Sequence, residues 1–146
     1  MKKVLVTGAG GFIGSQLVDR LLEKNFKVRG LIKYSSNNDL GWLKNNKNRN
    51  LEIIHGDISD YDSVYEAFKN IDYVFNLAAL ISVPYSFKNP ESFIDTNVKG
   101  LINVIRAYKQ NKKKIKKIIQ ISSSEVYGNT ISSKIKVLSE NLKLRS

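Results

Sequence analysis

The chain has 146 residues, 42% of them hydrophobic, and a formal charge of +11. That is enough for one substantial core but not for a two-domain enzyme, and the dispersed charge reads as globular rather than disordered. With no cysteine and a single histidine, His55, the chain has no disulfide, thiolate metal site or cysteine nucleophile, and a histidine metal site or a Ser-His-Asp triad is a poor fit.

Met1-Lys2-Lys3 leads straight into Val4-Leu5-Val6, a short buried strand, rather than into a signal peptide. No apolar run approaches membrane-spanning length, so a soluble cytoplasmic protein with no membrane partner is expected. Ile13, Leu17 and Leu21, joined by Val18, recur at helical spacing and predict one face of a helix. Val28 to Ile32 predicts a second strand. The polar stretch Lys33 to Asn50 has no strand signal, though Leu40, Trp42 and Leu43 fit a short helix over the sheet edge. Leu51 to His55 predicts a third strand, and Asp60 then caps a helix whose inner face carries Val64, Ala67 and Phe68.

Tyr73 to Leu77 is nearly continuous in apolar character, as parallel strands covered on both faces are. Pro90 suits the first turn of a long helix, with Asn89 as its cap and Val98, Leu101, Ile102, Ile105 and Tyr108 as its buried stripe. The dense basic run Lys112 to Lys117, broken by Ile115, falls where that helix ends, a place that favours cations. It reads as a solvated face, and no nucleic-acid partner is expected. Ile118 to Ile121 predicts a fifth strand. From Gly128 the pattern fades, and Asn129 to Ser146 is polar and weakly periodic. The alternating order predicts an α/β fold with a doubly wound parallel sheet over residues 1–128, followed by an irregular segment over 129–146.

Between the first strand and the first helix lies Thr7-Gly8-Ala9-Gly10-Gly11-Phe12-Ile13-Gly14. Gly8 allows a tight turn, Gly11 a close approach by a pyrophosphate, and Gly14 close packing of the helix on the strand. The helix start at Phe12 and Ile13 supplies N–H donors to phosphate. In its strand-turn-helix setting this is a Rossmann-type dinucleotide cradle. An NAD site usually offers an acid at the end of the second strand, to bind the adenosine ribose. Here Leu31-Ile32 is followed by Lys33-Tyr34-Ser35-Ser36, with no acid before Asp39. Lys33 with the two serines would meet the 2′-phosphate of NADP, or it is an exposed lysine at a strand end; NAD and NADP both stay open.

The Gly-x-x-Gly-x-x-Gly spacing with its leading threonine resembles the extended short-chain dehydrogenases/reductases, the NAD-dependent epimerase/dehydratase family. The resemblance continues in Gly56-Asp57-Ile58, which in such enzymes meets the adenine, in Leu77-Ala78-Ala79 beside the cofactor, and in Thr96-Asn97. Ser122-Ser123-Ser124-Glu125-Val126-Tyr127-Gly128 comes after the fifth strand and resembles the Ser/Thr-x-Glu segment of nucleotide-sugar 4,6-dehydratases. The stretches Lys33 to Leu43 and Ala78 to Ser86 are similar to dehydratases of the legionaminic-acid type.

The resemblance implies a nucleotide-diphosphate sugar as substrate, with Ser123 holding the C4 hydroxyl and Glu125 acting as the base. Ser124 stands where some sugar dehydratases carry an aspartic acid as general acid. The resemblance also implies a homodimer in the complete protein, and a Tyr-x-x-x-Lys pair after this segment. That pair is absent. Tyr65 with Lys69 and Tyr108 with Lys112 match its spacing but precede the fifth strand, so they are rejected as catalytic. The expectation is therefore the N-terminal part of a 4,6-dehydratase, inactive by itself. An epimerase or reductase of the same family, or a non-catalytic dinucleotide-binding module, are the alternatives.

Overall fold

The computed structural model describes residues 1–127. The segment 129–146, expected to be irregular, lies outside the described residues. Five parallel strands run in the order β3-β2-β1-β4-β5: β1 (Lys3–Thr7), β2 (Lys27–Ile32), β3 (Leu51–His55), β4 (Tyr73–Asn76) and β5 (Lys117–Gln120). All five predicted strands are present, each within about one residue of its expected limits. β1 sits at the centre, Val4 pairing with both Val28 and Tyr73.

The period-2 alternation of side chains sends each strand into two cores. Leu5, Leu31 and Val74 face the helices α2 (Tyr61–Phe68) and α5 (Gly100–Asn111), with Val64, Phe68, Val104 and Ala107 packed on them. Val4, Val6, Val28 and Ile32 face the other way, onto Val18 and Leu22 of α1 (Phe12–Glu23) and Leu43 of a single 3₁₀ turn at Gly41–Leu43. Asp60 caps α2 as expected, its carboxylate accepting the Ser63 N–H at 2.9 Å. In α1 the buried line runs through Gly14, Ser15, Val18 and Leu22. Ile13, expected on that face, is exposed, because the helix sits directly on the glycine turn and presents its first residues upward.

The expected long helix is not one regular helix. α3 (Val83–Lys88), which no sequence signal marked, is followed by α4 (Pro90–Phe93), capped by Asn89 as expected. A π-helical turn, Ile94–Lys99, then joins α4 to α5. The wider turn adds a residue to the helical repeat and so rotates α5 about its own axis. Val98, Ile102 and Ile105 are 54%, 50% and 44% exposed, and Leu101 and Tyr108 only partly buried. The buried line is instead Gly100, Asn103, Val104 and Ala107. Small residues bring α5 close: a Cβ on Gly100 would stand 2.8 Å from the Ile58 side chain, and Asn103 donates to the Ile58 and Ser59 carbonyls at 3.1 and 3.0 Å. Val98 and Ile102 are left on the outside, whereas Val104 and Tyr108 pack towards the sheet.

One polar group crosses the α2 face of the sheet. Arg29 on β2, with its side chain 12% exposed, holds Glu52 on β3 through two bonds of 3.0 and 3.1 Å. It also donates to the Ala67 and Lys69 carbonyls at 2.9 and 2.8 Å, so a fixed cation sits on the C-terminal end of α2. Arg29, chiefly, with help from Lys3, holds the Glu52 carboxyl below its ordinary value despite partial burial. Arg29→Met should cost about 2 kcal/mol, from charge-assisted bonds lost at both strand and helix. Because Glu52 is depressed, its share of that stability is present above the ordinary carboxylate range and is lost as pH falls through the folded value. Urea midpoints should therefore show a gap between the parent and Arg29→Met that is widest near neutral pH and narrower at about pH 3.

Candidate functional site

The carboxyl ends of the five strands form one edge, and the residues that the sequence singles out converge on it. Gly8 has φ +65°, a backbone that L side chains rarely adopt, and a Cβ there would meet the Ala78 N at 3.0 Å. A Cβ on Gly14 would stand 2.2 Å from the Gly8 carbonyl, so this glycine is what lets α1 start directly against the turn. Gly11, exposed, is the first residue before α1; its N–H bonds the Gly8 carbonyl and its own carbonyl accepts from Ser15. No side chain caps α1 and its first turn has no acid, in contrast to α2. The N–H groups at Phe12 and Ile13 have no carbonyl one turn earlier in the helix, and their side chains are exposed. An uncapped helix start above an open glycine is the arrangement that receives phosphate.

Thr7, fully buried, ties this turn to the loop after β4. Its hydroxyl accepts the Leu77 and Ala78 N–H groups, both at 3.1 Å, and donates to Asn76. The structure thus brings Gly8 and Ala78 together, as expected of two cofactor-facing segments. Ala79 beside them is exposed, whereas the Leu77 side chain packs into the α1-side core. Asn97, on the π-helical turn, clamps the same loop by accepting from the Leu80 N–H at 2.8 Å and donating to its carbonyl at 2.9 Å. In this structure it positions backbone.

At the β2–β3 end, Lys33 and Asp57 form an ion pair of 3.0 Å. The other Asp57 oxygen accepts the N–H and hydroxyl of Ser59. Partial burial pushes the Asp57 carboxyl up, but the Ser59 N–H, Lys33 and the Ser59 hydroxyl outweigh it and hold the carboxyl below its usual value. Ile58 turns the other way, into the α2–α5 core.

After β5, Ser124 to Tyr127 form a single 3₁₀ turn in which the Ser123 hydroxyl accepts the Glu125 N–H at 3.2 Å. Ser123, Ser124 and Glu125 are all exposed. They share the edge with the glycine turn and have no hydrogen bond to it among the described residues. Their tether is polar and was not foreseen: Asn76 donates to Gln120 at 2.7 Å, Gln120 donates to the Ile121 carbonyl, and the Ile121 N–H returns to Asn76. A lone asparagine inside an apolar strand was the signal for it.

The short helix expected around Leu40 to Leu43 is the 3₁₀ turn Gly41–Leu43, and what was not foreseen is its seat on the glycine turn. Gly41 has φ +58° and lies against the Gly10 carbonyl, which also accepts the Trp42 N–H at 3.0 Å. Trp42 meets the Phe12 ring edge-on at 5.8 Å, so this turn rests on the glycine turn itself as well as on the sheet. The rejected pairs lie on α2 and α5; Lys69 is engaged with Glu66 and sits over the Tyr65 ring. Two shallow hollows lie elsewhere, one along the flank of α5 and β5, the other on the β3 side around Arg29. No helix among the described residues is long and apolar enough to cross a membrane.

Residues 5–144 match the family model for GDP-mannose 4,6-dehydratase. A Sinorhizobium fredii protein named "Probable dTDP-glucose 4,6-dehydratase" is 36% identical over 137 residues, 87% of this chain and 39% of that protein. The UDP-N-acetylglucosamine 4-epimerase of Methanobrevibacter ruminantium, solved with UDP-N-acetylmuramic acid, superposes with a TM-score of 0.79 at 39% identity, over 99% of this chain and 44% of its own. The UDP-glucose 4-epimerase of Bifidobacterium longum, solved with NAD⁺ and UDP, gives a TM-score of 0.80 at 28% identity, over 99% of this chain and 43% of its own. The chain thus spans about two fifths of the length of these relatives. By its glycine turn, its sheet order and these matches, the chain belongs to the GDP-mannose 4,6-dehydratase family, within the NAD-dependent epimerase/dehydratases of the extended short-chain dehydrogenase/reductase type.

Proposed function

We propose that the chain is the cofactor-holding part of an NAD(P)-dependent nucleotide-sugar 4,6-dehydratase. The observation that carries this reading is Glu125, an exposed carboxylate on the turn after β5, at the same sheet edge as the glycine turn. The cradle fits a dinucleotide, because the space that Cβ atoms on Gly8 and Gly14 would fill is taken up by backbone, which leaves the uncapped start of α1 open for pyrophosphate. A bound nicotinamide would supply a hydride acceptor for sugar C4 and later a donor to C6, the C4 hydroxyl proton going to the tyrosine of the Tyr-x-x-x-Lys pair that the resemblance implies, and the proton that Glu125 takes from C5 returning there with the hydride. Ser123 hydrogen-bonds the C4 hydroxyl and orients the sugar. Glu125 removes the C5 proton, and the electron pair left behind expels water from C6. Ser124 is a poor proton donor, so protonation of the departing hydroxyl falls to water or to another group.

The 146 residues contain no Tyr-x-x-x-Lys after β5, so the chain alone is expected to bind cofactor without turnover. Formation of a 4-keto-6-deoxy product by the purified 146-residue chain would refute this. Epimerisation at C4 is the second reading, favoured by the epimerase matched at 39% identity. In the whole protein, Glu125→Gln should lower dehydration by about a hundredfold or more while sparing the change in nicotinamide absorbance. Retention of dehydration by that variant would sink the assignment of Glu125. An epimerised sugar as the sole product in the parent and in Glu125→Gln alike would make the enzyme an epimerase.

The cradle has its own reporter. Trp42 is the single tryptophan, and it stands on Phe12 at the head of α1. Nucleotide binding should change its emission. Gly14→Ala, which drives a methyl into the Gly8 carbonyl, should weaken binding by about tenfold or more. An unaltered titration in a folded Gly14→Ala chain would count against the cradle. We also assign the homodimer contact of the complete protein to the exposed face that runs from Val98 of the π-helical turn to Ile102 and Ile105 of α5. Ile102→Asp should shift sedimentation towards the monomer; an unchanged dimer would exclude this face.

A further inference from the structure

All five strands start at one edge of the sheet and end at the other, and the charges of the chain divide between those edges. The segments that leave the strands, residues 8–11, 33–40, 56–60, 77–82 and 121–127, carry the carboxylates Asp39, Asp57, Asp60 and Glu125 and one cation, Lys33. The segments that lead into the strands, residues 1–2, 24–26, 44–50, 69–72 and 112–116, carry one carboxylate, Asp72. Each of these five holds at least one lysine or arginine, and all of those cations are exposed. Lys27 and Lys117, the first residues of β2 and β5, are exposed beside them. A general surplus of lysine would be spread over both edges. The C-terminal ends of α1, α2 and α5 favour cations at this edge, but Lys2, Lys47 and Arg49 follow no α-helix.

The strand starts are held in one row. The Lys27 N–H bonds the Lys2 carbonyl at 3.0 Å, the Asp72 N–H the Lys3 carbonyl at 2.8 Å, and the Lys116 N–H the Asp72 carbonyl at 2.8 Å. With strands about 4.8 Å apart, the row is about 19 Å long. Asp72 does not neutralise it, because its carboxylate accepts the Lys3 N–H at 2.8 Å. Among the described residues, Lys69 of this row is paired, with Glu66, and its other exposed cations have no carboxylate partner.

We propose that this amino edge is a docking face for a membrane surface of anionic phospholipid headgroups. Attachment of this kind is electrostatic, sums small contributions from single lysines and needs no spanning helix. It seats the chain by one edge and leaves the glycine turn and the Ser-Glu turn, at the opposite edge, open to nucleotides from solution. A nucleic acid fits the row less well. Tyr73 and Phe26 are half-buried, with the Lys2 Nζ 5.6 Å from the centre of the Tyr73 ring, so neither offers a base a stacking face. The helices meet this edge by their ends rather than their sides, so none is presented to a groove.

The test is co-sedimentation of the chain with vesicles of phosphatidylcholine alone and with about 30% phosphatidylglycerol added, at about 0.1 M salt. The parent should bind the mixed vesicles only, and release them at about 0.5 M salt. Lys113→Glu with Lys116→Glu should lower partitioning by about tenfold or more. Lys88→Glu with Lys99→Glu makes the same change in net charge on the elements that follow β4, and should stay within about threefold of the parent. Equal losses in the two double variants would reduce the effect to net charge and overturn the assignment to this edge. Equal binding to phosphatidylcholine alone, or tighter binding to an oligonucleotide at the same phosphate concentration, would overturn the lipid partner. The lipid and salt comparisons use the parent chain, so they decide even where a variant fails to fold.

Discussion

The Thr7 hydroxyl is the point on which the carboxyl edge depends. It lies at the end of the central strand, fully buried, where an unsatisfied hydroxyl would be costly. It accepts two N–H groups from the loop after β4 and donates to Asn76, so its hydrogen and both lone pairs are in use. Asn76 passes the connection on to Gln120 and hence to the end of β5. Three strand ends are thereby held in one plane by side chains as well as by the ladder. The glycine turn begins one residue after Thr7, and the Ser-Glu turn begins four residues after Gln120, so both take their places from the same chain of bonds.

The rest of the architecture depends on how closely elements approach. α1 reaches the turn because Gly14 has no side chain to meet the Gly8 carbonyl. α5 reaches Ile58 because Gly100 has none either, and Asn103 satisfies two carbonyls at that contact. Close packing there decides which face of α5 is buried, against the larger hydrophobic gain that Val98, Ile102 and Ile105 would have offered. Those side chains remain on the outside as an apolar strip.

Charge is arranged with similar economy. Among the described residues, Arg29 is a cation with its side chain well buried, and it meets a carboxylate and two helix-end carbonyls at once. Among the described residues, lysines pair with carboxylates at Lys3, Lys33 and Lys69, joined to Glu52, Asp57 and Glu66. Lys3 on β1 reaches past β2 to Glu52 on β3, whereas Lys33 joins the end of β2 to the loop after the neighbouring β3, beside the cradle.

Much of this was legible before any coordinates. The five strands, the Asp60 and Asn89 caps, the glycine turn and the Ser-Glu segment at the sheet's carboxyl edge were all set by local signals: apolar runs, capping residues and glycine spacing act over a few neighbours and need no tertiary partner. The sequence by itself therefore determined the fold class and the edge at which the chemistry gathers. What it did not determine was every contact between residues far apart in number. The burial of Gly100 and Ala107 in place of Ile102 and Ile105 depends on the close seat of Gly100 and Asn103 on the Ile58–Ser59 segment. The inward turn of Ile58, the seat of Gly41 on Gly10 and the engagement of Lys33 by Asp57 each depend on a partner brought in by another strand or loop. Periodicity reports that a helix has an apolar face, but which face is buried is decided by the shape of the surface it lands on.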